Sequence, residues 1–150
     1  MSIVVLLDSG PLGLVTNPGG SSETYQCNLW LESLIVRGVE VKIPEIADYE
    51  VRRELLRANK IAGIKRLDGL KNYIDYIPLS TQTMLLAAHL WAEVRKQGKP
   101  TADSKALDGD VILAAQATLI ANAGHEVIIA TTNVGHLSRL AEARQWRDIS

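Results

Sequence analysis

Apolar residues along this chain fall into runs of two kinds. The short continuous ones, Ile3-Val4-Val5-Leu6-Leu7 and Val127-Ile128-Ile129-Ala130, are rich in β-branched residues. Each ends abruptly, the first at Asp8-Ser9-Gly10-Pro11 and the second at Thr131-Thr132-Asn133. A run apolar at every position suits a strand covered on both faces, and such strands belong to parallel sheets wrapped by helices. Residues 39–43, Val-Glu-Val-Lys-Ile, alternate strictly and stop at Pro44, which predicts a strand nearer an edge. Residues 76–79 form a further short strand-like run, and Trp146-Arg147-Asp148-Ile149 predicts an edge strand near the end of the sequence.

Between the strands the apolar positions recur at helical spacing. Residues 23–36 predict a helix with Leu29, Trp30, Leu34 and Ile35 on its apolar side and Gly38 as its stop. A second helix starts near Pro44-Glu45 and carries Ile46, Ala47, Tyr49, Val51, Leu55 and Leu56. Ile61, Ile64, Leu67 and Leu70 mark a third, residues 83–97 a fourth, and the alanine-rich stretch from Asp110 to Ile120 a fifth that is too apolar to be exposed. Residues 134–143 predict a last, short helix. Residues 12–15 are only a short apolar segment. Residues 17–22, Asn-Pro-Gly-Gly-Ser-Ser, read as a mobile rim loop whose glycines follow no phosphate-loop spacing, and residues 98–104 as a second loop. Strands interleaved with helices throughout predict a three-layer α/β/α sandwich around a mostly parallel sheet, as one domain over residues 1–150. In such sheets a ligand site lies beyond the carboxyl ends of the strands where their order reverses, so Asp8 and the 131–133 turn would face one crevice.

Composition narrows the classes of function. The 150 residues are 47% hydrophobic, enough for one good core, and 16 Lys plus Arg against 17 Asp plus Glu give a net charge of -1. A polycation built to coat nucleic acid is excluded. The one local basic excess runs from Arg52 to Lys71, where seven basic residues face Glu54 and Asp68. It is either a plain solvated face or a place to hold a polyanion, with Arg52, Arg53 and Arg57 the best placed to bind RNA. The single Cys27 forms no internal disulfide. Residues 3–7 are too short for a signal peptide and no run reaches the ~18 apolar residues that span a bilayer, so no membrane association and a cytoplasmic location are expected.

Several acids stand at the ends or on the inward faces of these elements. Asp8 stops a strand. Glu50 falls between Ile46 and Ala47 on the helical wheel, inside the apolar arc, although Glu54 lies close by and the wheel does not choose between them; a salt bridge to Arg53 or Arg57 is the ordinary alternative. Asp108 and Asp110 stand at the mouth of the alanine-rich helix, where helix capping is the ordinary reading. Oxygen-bearing residues gathered at core-element ends are also what a hard metal ion requires.

The order of these features resembles the PIN-domain nucleases, among them the VapC-like toxins of toxin–antitoxin pairs. The resemblance is carried by Leu6-Leu7-Asp8-Ser9-Gly10-Pro11-Leu12, by Ile46-Ala47-Asp48-Tyr49-Glu50-Val51-Arg52-Arg53-Glu54-Leu55, by Asp110-Val111-Ile112-Leu113-Ala114-Ala115-Gln116-Ala117 and by Thr131-Thr132-Asn133-Val134-Gly135-His136-Leu137. It implies a PIN-like fold that cuts RNA with Mg²⁺ or Mn²⁺, leaving 5′-phosphate and 3′-hydroxyl ends. Asp8, Glu50 and Asp110 correspond to the catalytic metal ligands, Asp108 to a further ligand or auxiliary acid, and Ser9 to a small residue near the phosphate. Asn133 can offer a carbonyl oxygen to the metal or its water, although a turn-forming Asn is the more ordinary reading. The sequence departs from the family in the fourth motif, where many relatives carry an aspartate and this chain has Gly135-His136-Leu137; an imidazole is a poorer partner for Mg²⁺ than a carboxylate, which favours Mn²⁺. The resemblance also implies a small antitoxin whose C-terminal segment covers the crevice, and a homodimer in which Trp30, Trp91 or Trp146 lies at the interface or packs in the core. Two other readings stay open: a catalytically weakened PIN-like module that binds RNA or a protein, and a phosphoacceptor or phosphohydrolase built on Asp8, which lacks a second aspartate two residues on.

Overall fold

The computed structural model describes residues 3–17, 19–98 and 104–150, with the backbone alone for 104–106. Its elements in chain order are β1 (Ile3–Leu7), α1 (Ser9–Thr16), α2 (Ser22–Val36), β2 (Glu40–Pro44), α3 (Glu45–Arg57), α4 (Ile61–Leu70), β3 (Asp75–Ile77), α5 (Thr81–Lys96), α6 (Ser104–Asn122), β4 (Glu126–Thr131), α7 (Val134–Leu137), β5 (Ala143–Gln145) and a 3-10 turn (Trp146–Asp148). The five strands are all parallel, in the order β3-β2-β1-β4-β5. The chain steps outward from β1 to β3, then returns to place β4 on the other side of β1. The order therefore reverses between β1 and β4, whose ends meet in the register Leu7 opposite Ala130.

The continuous apolar run of β1 is explained by its two faces. Val5 and Leu7 pack into a core with residues of α1, α2, α3 and α4, including Leu12, Cys27, Leu34, Val51 and Leu67. Val4 and Leu6 pack into a second core with Leu113 and Ala117 of α6 and Leu137 of α7. α5 lies outside α6, joined to it through Ala87, Leu107, Val111 and Ala115. The result is a three-layer α/β/α sandwich. Burying each such Leu or Val side chain contributes about 1.5–3 kcal/mol, so both faces of β1 are fixed and a one-residue slip would exchange the two cores.

Several elements differ from the sequence expectation for identifiable reasons. Residues 9–16 are a helix, not merely an apolar segment. Its glycines weaken the helical signal, while Pro11 sits in the first turn, where a missing N–H costs little. In α2 the inner face is Cys27, Leu31 and Leu34, while Leu29 and Ile35 are exposed. In α3 the buried residues are Ile46, Ala47, Val51 and, unexpectedly, Asp48, only 5% exposed, whereas Tyr49 and Leu56 point outward. Asp48 tolerates burial because Arg52 grips it with two hydrogen bonds of 2.9 and 3.2 Å and extends a third, of 2.7 Å, to Asp68. α6 already runs at Ser104, so Asp108 and Asp110 lie inside the helix and not at its cap. α7 ends after one turn because Ala143–Gln145 leave to pair with β4 as the edge strand. Trp146–Asp148 turn away from that edge: Trp146 is buried against Trp30, ring centroids 5.6 Å apart, and Trp30 Nε1 donates to the Ile149 carbonyl at 2.7 Å. Residues 99–103 of the second expected loop and Pro18 of the first lie outside the described residues. Among the described residues no helix is long and apolar enough to cross a membrane.

Candidate functional site

Asp8 is the first residue beyond β1, at the point where the strand order reverses. Its backbone N–H donates to the Ala130 carbonyl at 2.9 Å, so it is still held by the sheet, while its side chain caps α1 by accepting from Ser9 N at 2.7 Å. The other carboxylate oxygen accepts from Thr131 Oγ1 at 2.7 Å, and that hydroxyl oxygen in turn accepts from Asn133 N at 2.9 Å. The turn after β4 is thereby tied to the acid after β1. Gly10 presses against the same turn, for a Cβ there would run into the Thr132 side chain. Burial raises the pKa of Asp8, and the hydrogen bonds from Thr131 and Ser9 lower it without cancelling that effect.

Glu50 on α3 and Asp110 on α6 complete the group. Burial, followed by the charge of Asp8, pushes Glu50 up to about 7; Arg53 pulls it down and Asp110 pushes it further up. Burial and Asp8 push Asp110 up to about 6, against a lowering influence of His136. Each acid therefore stands within electrostatic reach of another, although they come from three separate elements. Glu50 lies directly over α6, where an ideal Cβ on Gly109 would be 2.6 Å from its Oε2. Glu54 lines the cleft beside Glu50 but is exposed and paired with Arg57, whereas Glu50 is the one under the influence of Asp8 and Asp110.

The remaining expected residues divide. Ser9 and Arg53 line a cleft of about 410 Å³ together with Gly10, Glu50 and Lys60. His136 is close enough to influence Asp110, and Asn133 contributes its backbone N–H to the Thr131 hydroxyl while remaining exposed. Arg52, expected on the RNA face, is instead committed to Asp48 and Asp68, and Arg57 to Glu54. Asp108 is exposed and lines a different groove, between α5 and α6, with Met84 and Trp91, because two residues correspond to about 200° around a helix. The expected crevice of Asp8 and the 131–133 turn gains a specific contact, the Thr131 hydroxyl, because Leu7 lies opposite Ala130 and the two residues that follow are neighbours. The part played by the bare Cα of Gly109 went unrecognised in the sequence.

Carboxylates with desolvated, mutually repelling charge are a donor set suited to a hard, oxygen-seeking cation. Among the described residues no group of three His, Cys, Asp or Glu side chains is placed so as to hold a metal ion as it stands. Asp8, Glu50 and Asp110 suit such an ion by their chemistry and influence one another's charge, and would have to draw together to bind it.

No family model matches the chain, and no curated protein matches it. Solved structures do. VapBC2 from Rickettsia felis bound to a DNA fragment from their promoter superposes with a TM-score of 0.70 at 18% identity, covering 95% of this chain and 98% of that one. VapBC-1 from nontypeable Haemophilus influenzae gives 0.69 at 15% identity over 97% and 99%, and DNA-bound VapBC from Salmonella typhimurium gives 0.63 at 17% over 96% and 98%. At such identities the likeness is one of fold, and the chain has the PIN-like α/β/α fold shared with these VapBC structures.

Proposed function

We propose that the chain is a metal-dependent endoribonuclease and the toxin of a toxin–antitoxin pair. The observation that supports this reading is that burial and the charge of Asp8, at the reversal between β1 and β4, raise the affinity for protons of the acids Glu50 and Asp110 from two other elements, Glu50 to about 7 and Asp110 to about 6. An acidic cluster repels RNA when left to itself, so it makes functional sense only around a cation. Asp8, Glu50 and Asp110 would hold Mg²⁺ or Mn²⁺ through carboxylate oxygens. When bound, the ion supplies activation of water and stabilisation of charge on the phosphate.

The chain's own groups do the rest. Ser9 N and Thr131 Oγ1 fix the Asp8 carboxylate in one orientation. Arg53 and Lys60, on the cleft that leads to Glu50, would hold flanking phosphates of the strand. Water attacks phosphorus in line and gives up its proton to solvent, the bond to the ribose 3′ oxygen breaks, and that oxygen takes a proton from solvent to become a hydroxyl, while the phosphate stays on the 5′ oxygen of the next nucleoside. A cognate antitoxin covering this crevice and a homodimer belong to the same reading, which the shared fold of the VapBC structures supports.

Cleavage of RNA with Mn²⁺ or Mg²⁺ tests the proposal. Wild type should cut and Asp8→Asn, Glu50→Gln and Asp110→Asn should each lose at least about 100-fold of that activity; equal cutting by all four preparations would mark a contaminant. One observation favours a second reading, a PIN-like module that binds RNA or protein without cutting: the fourth-motif position beside Asp110 is held by His136. Calorimetric titration separates the two, since a decayed site gives no Mn²⁺ heat that Glu50→Gln abolishes.

A further inference from the structure

Gly109 stands inside α6, where glycine is the worst residue for helix stability after proline. Its backbone does not require it, for it is not among the residues with positive φ. Nor does the main-chain packing: the three nearest atoms an added Cβ would meet are all in the Glu50 carboxyl group, Oε2 at 2.6 Å, Cδ at 3.3 Å and Oε1 at 3.5 Å. Of its two acidic neighbours in sequence, Asp108 is exposed and lines the groove between α5 and α6, while Asp110 lies in the field of Asp8.

We propose that Gly109 is a positioning residue, whose missing side chain lets the Glu50 carboxylate rest on α6 beside Asp110. The assignment builds on the reading of Glu50 as a metal-holding acid. The group that must yield to a methyl here is the far end of a flexible side chain, so the fold can absorb the change while the carboxylate cannot keep its place. To regain ordinary contact at 3.4 Å from 2.6 Å, the carboxylate oxygen must retreat by about 0.8 Å. Displacements of ligand-orienting contacts of this kind typically cost about 10–100-fold in metal affinity.

The position makes a paired prediction. Gly109→Ala should weaken Mn²⁺ binding about tenfold or more without lowering the melting temperature of the metal-free protein, since alanine favours the helix. In a Glu50→Asp background, where the side chain is shorter by one carbon–carbon bond of ~1.5 Å, the same methyl has nothing to displace and should leave Mn²⁺ affinity within about twofold of Glu50→Asp alone. Metal-free protein gives an independent measurement: the ¹³C resonance of the Glu50 carboxyl should move in Gly109→Ala while that of Asp8 stays. Equal Mn²⁺ affinity in Gly109→Ala and wild type, an unmoved Glu50 resonance, or an equal loss in both backgrounds would overturn the assignment. If wild type binds no Mn²⁺ but the Glu50 resonance moves selectively, the positioning stands and the nuclease reading falls.

Discussion

Replacing Glu50 by glutamine should stabilise the metal-free protein while disabling its site. A carboxyl raised from 4.5 to about 7 corresponds to about 3.4 kcal/mol against its charged form, at ~1.36 kcal/mol per pH unit. Because the group is only partly buried, solvent screening reduces this to about 1 kcal/mol. The direction follows from proton binding: between pH ~4.5 and ~7 the folded chain holds a proton that the unfolded chain has released. Glu50 therefore makes stability fall as pH rises through that window and leaves it lower above it. Glutamine keeps the shape and removes the charge. In EDTA at pH 8, Glu50→Gln should be more stable than wild type by about 1 kcal/mol, or roughly 2–4 °C in melting temperature for a chain of this size. At pH 4 the two should coincide. Thermal unfolding followed by circular dichroism across pH 4–8 reads this directly. A variant less stable than wild type at pH 8, or one with the same pH slope, would refute the reasoning.

Other positions report on the rest of the account. Thr131→Val removes the hydroxyl that serves both Asp8 and Asn133, so it should cost about 1–3 kcal/mol in chemical denaturation and shift Mn²⁺ binding to higher pH, as Asp8 rises further; Thr131→Ser should restore both. Arg52→Met leaves the buried Asp48 with Lys71 alone, 3.9 Å away, and should cost about 1–3 kcal/mol of stability, yet leave the RNA affinity of the folded protein unchanged. Arg53→Ala should do the opposite, weakening RNA binding and flattening its salt dependence in a filter-binding titration while changing stability by less than about 0.5 kcal/mol.

Much of the fold was legible because the burial pattern of each strand is written in consecutive residues. β1 and β4 are buried on both sides and read as unbroken apolar runs, and the acid or hydroxyl that ends each was visible with them. What lay beyond reach depended on contacts between distant residues. The burial of Asp48 is not legible in α3 alone, because its partner Arg52 reads equally well as a nucleic-acid contact. The pairing that decides between them involves Asp68 on α4, 16 positions further on than Arg52. The start of α6 was misread because Asp108 and Asp110 have the composition of a cap, while residues 107–110 are already helical. The C-terminal edge strand was displaced by three residues, since Trp146 is held in the core by Trp30 of α2 and no local pattern announces that contact. At the site, the acids were visible individually. The groups that seat them, Thr131 and Gly109, act through neighbours on other elements and become meaningful only when β1 lies beside β4 and α3 crosses α6.

The most direct test is a crystal of the protein soaked in Mn²⁺ and measured at the manganese absorption edge. One anomalous peak coordinated by carboxylate oxygens of Asp8, Glu50 and Asp110, directly or through its waters, and lost in Asp110→Asn, is the predicted outcome. A crystal with no peak there at millimolar Mn²⁺, or with the ion bound elsewhere while these carboxylates keep their places, would contradict the claim that the three acids form one metal site.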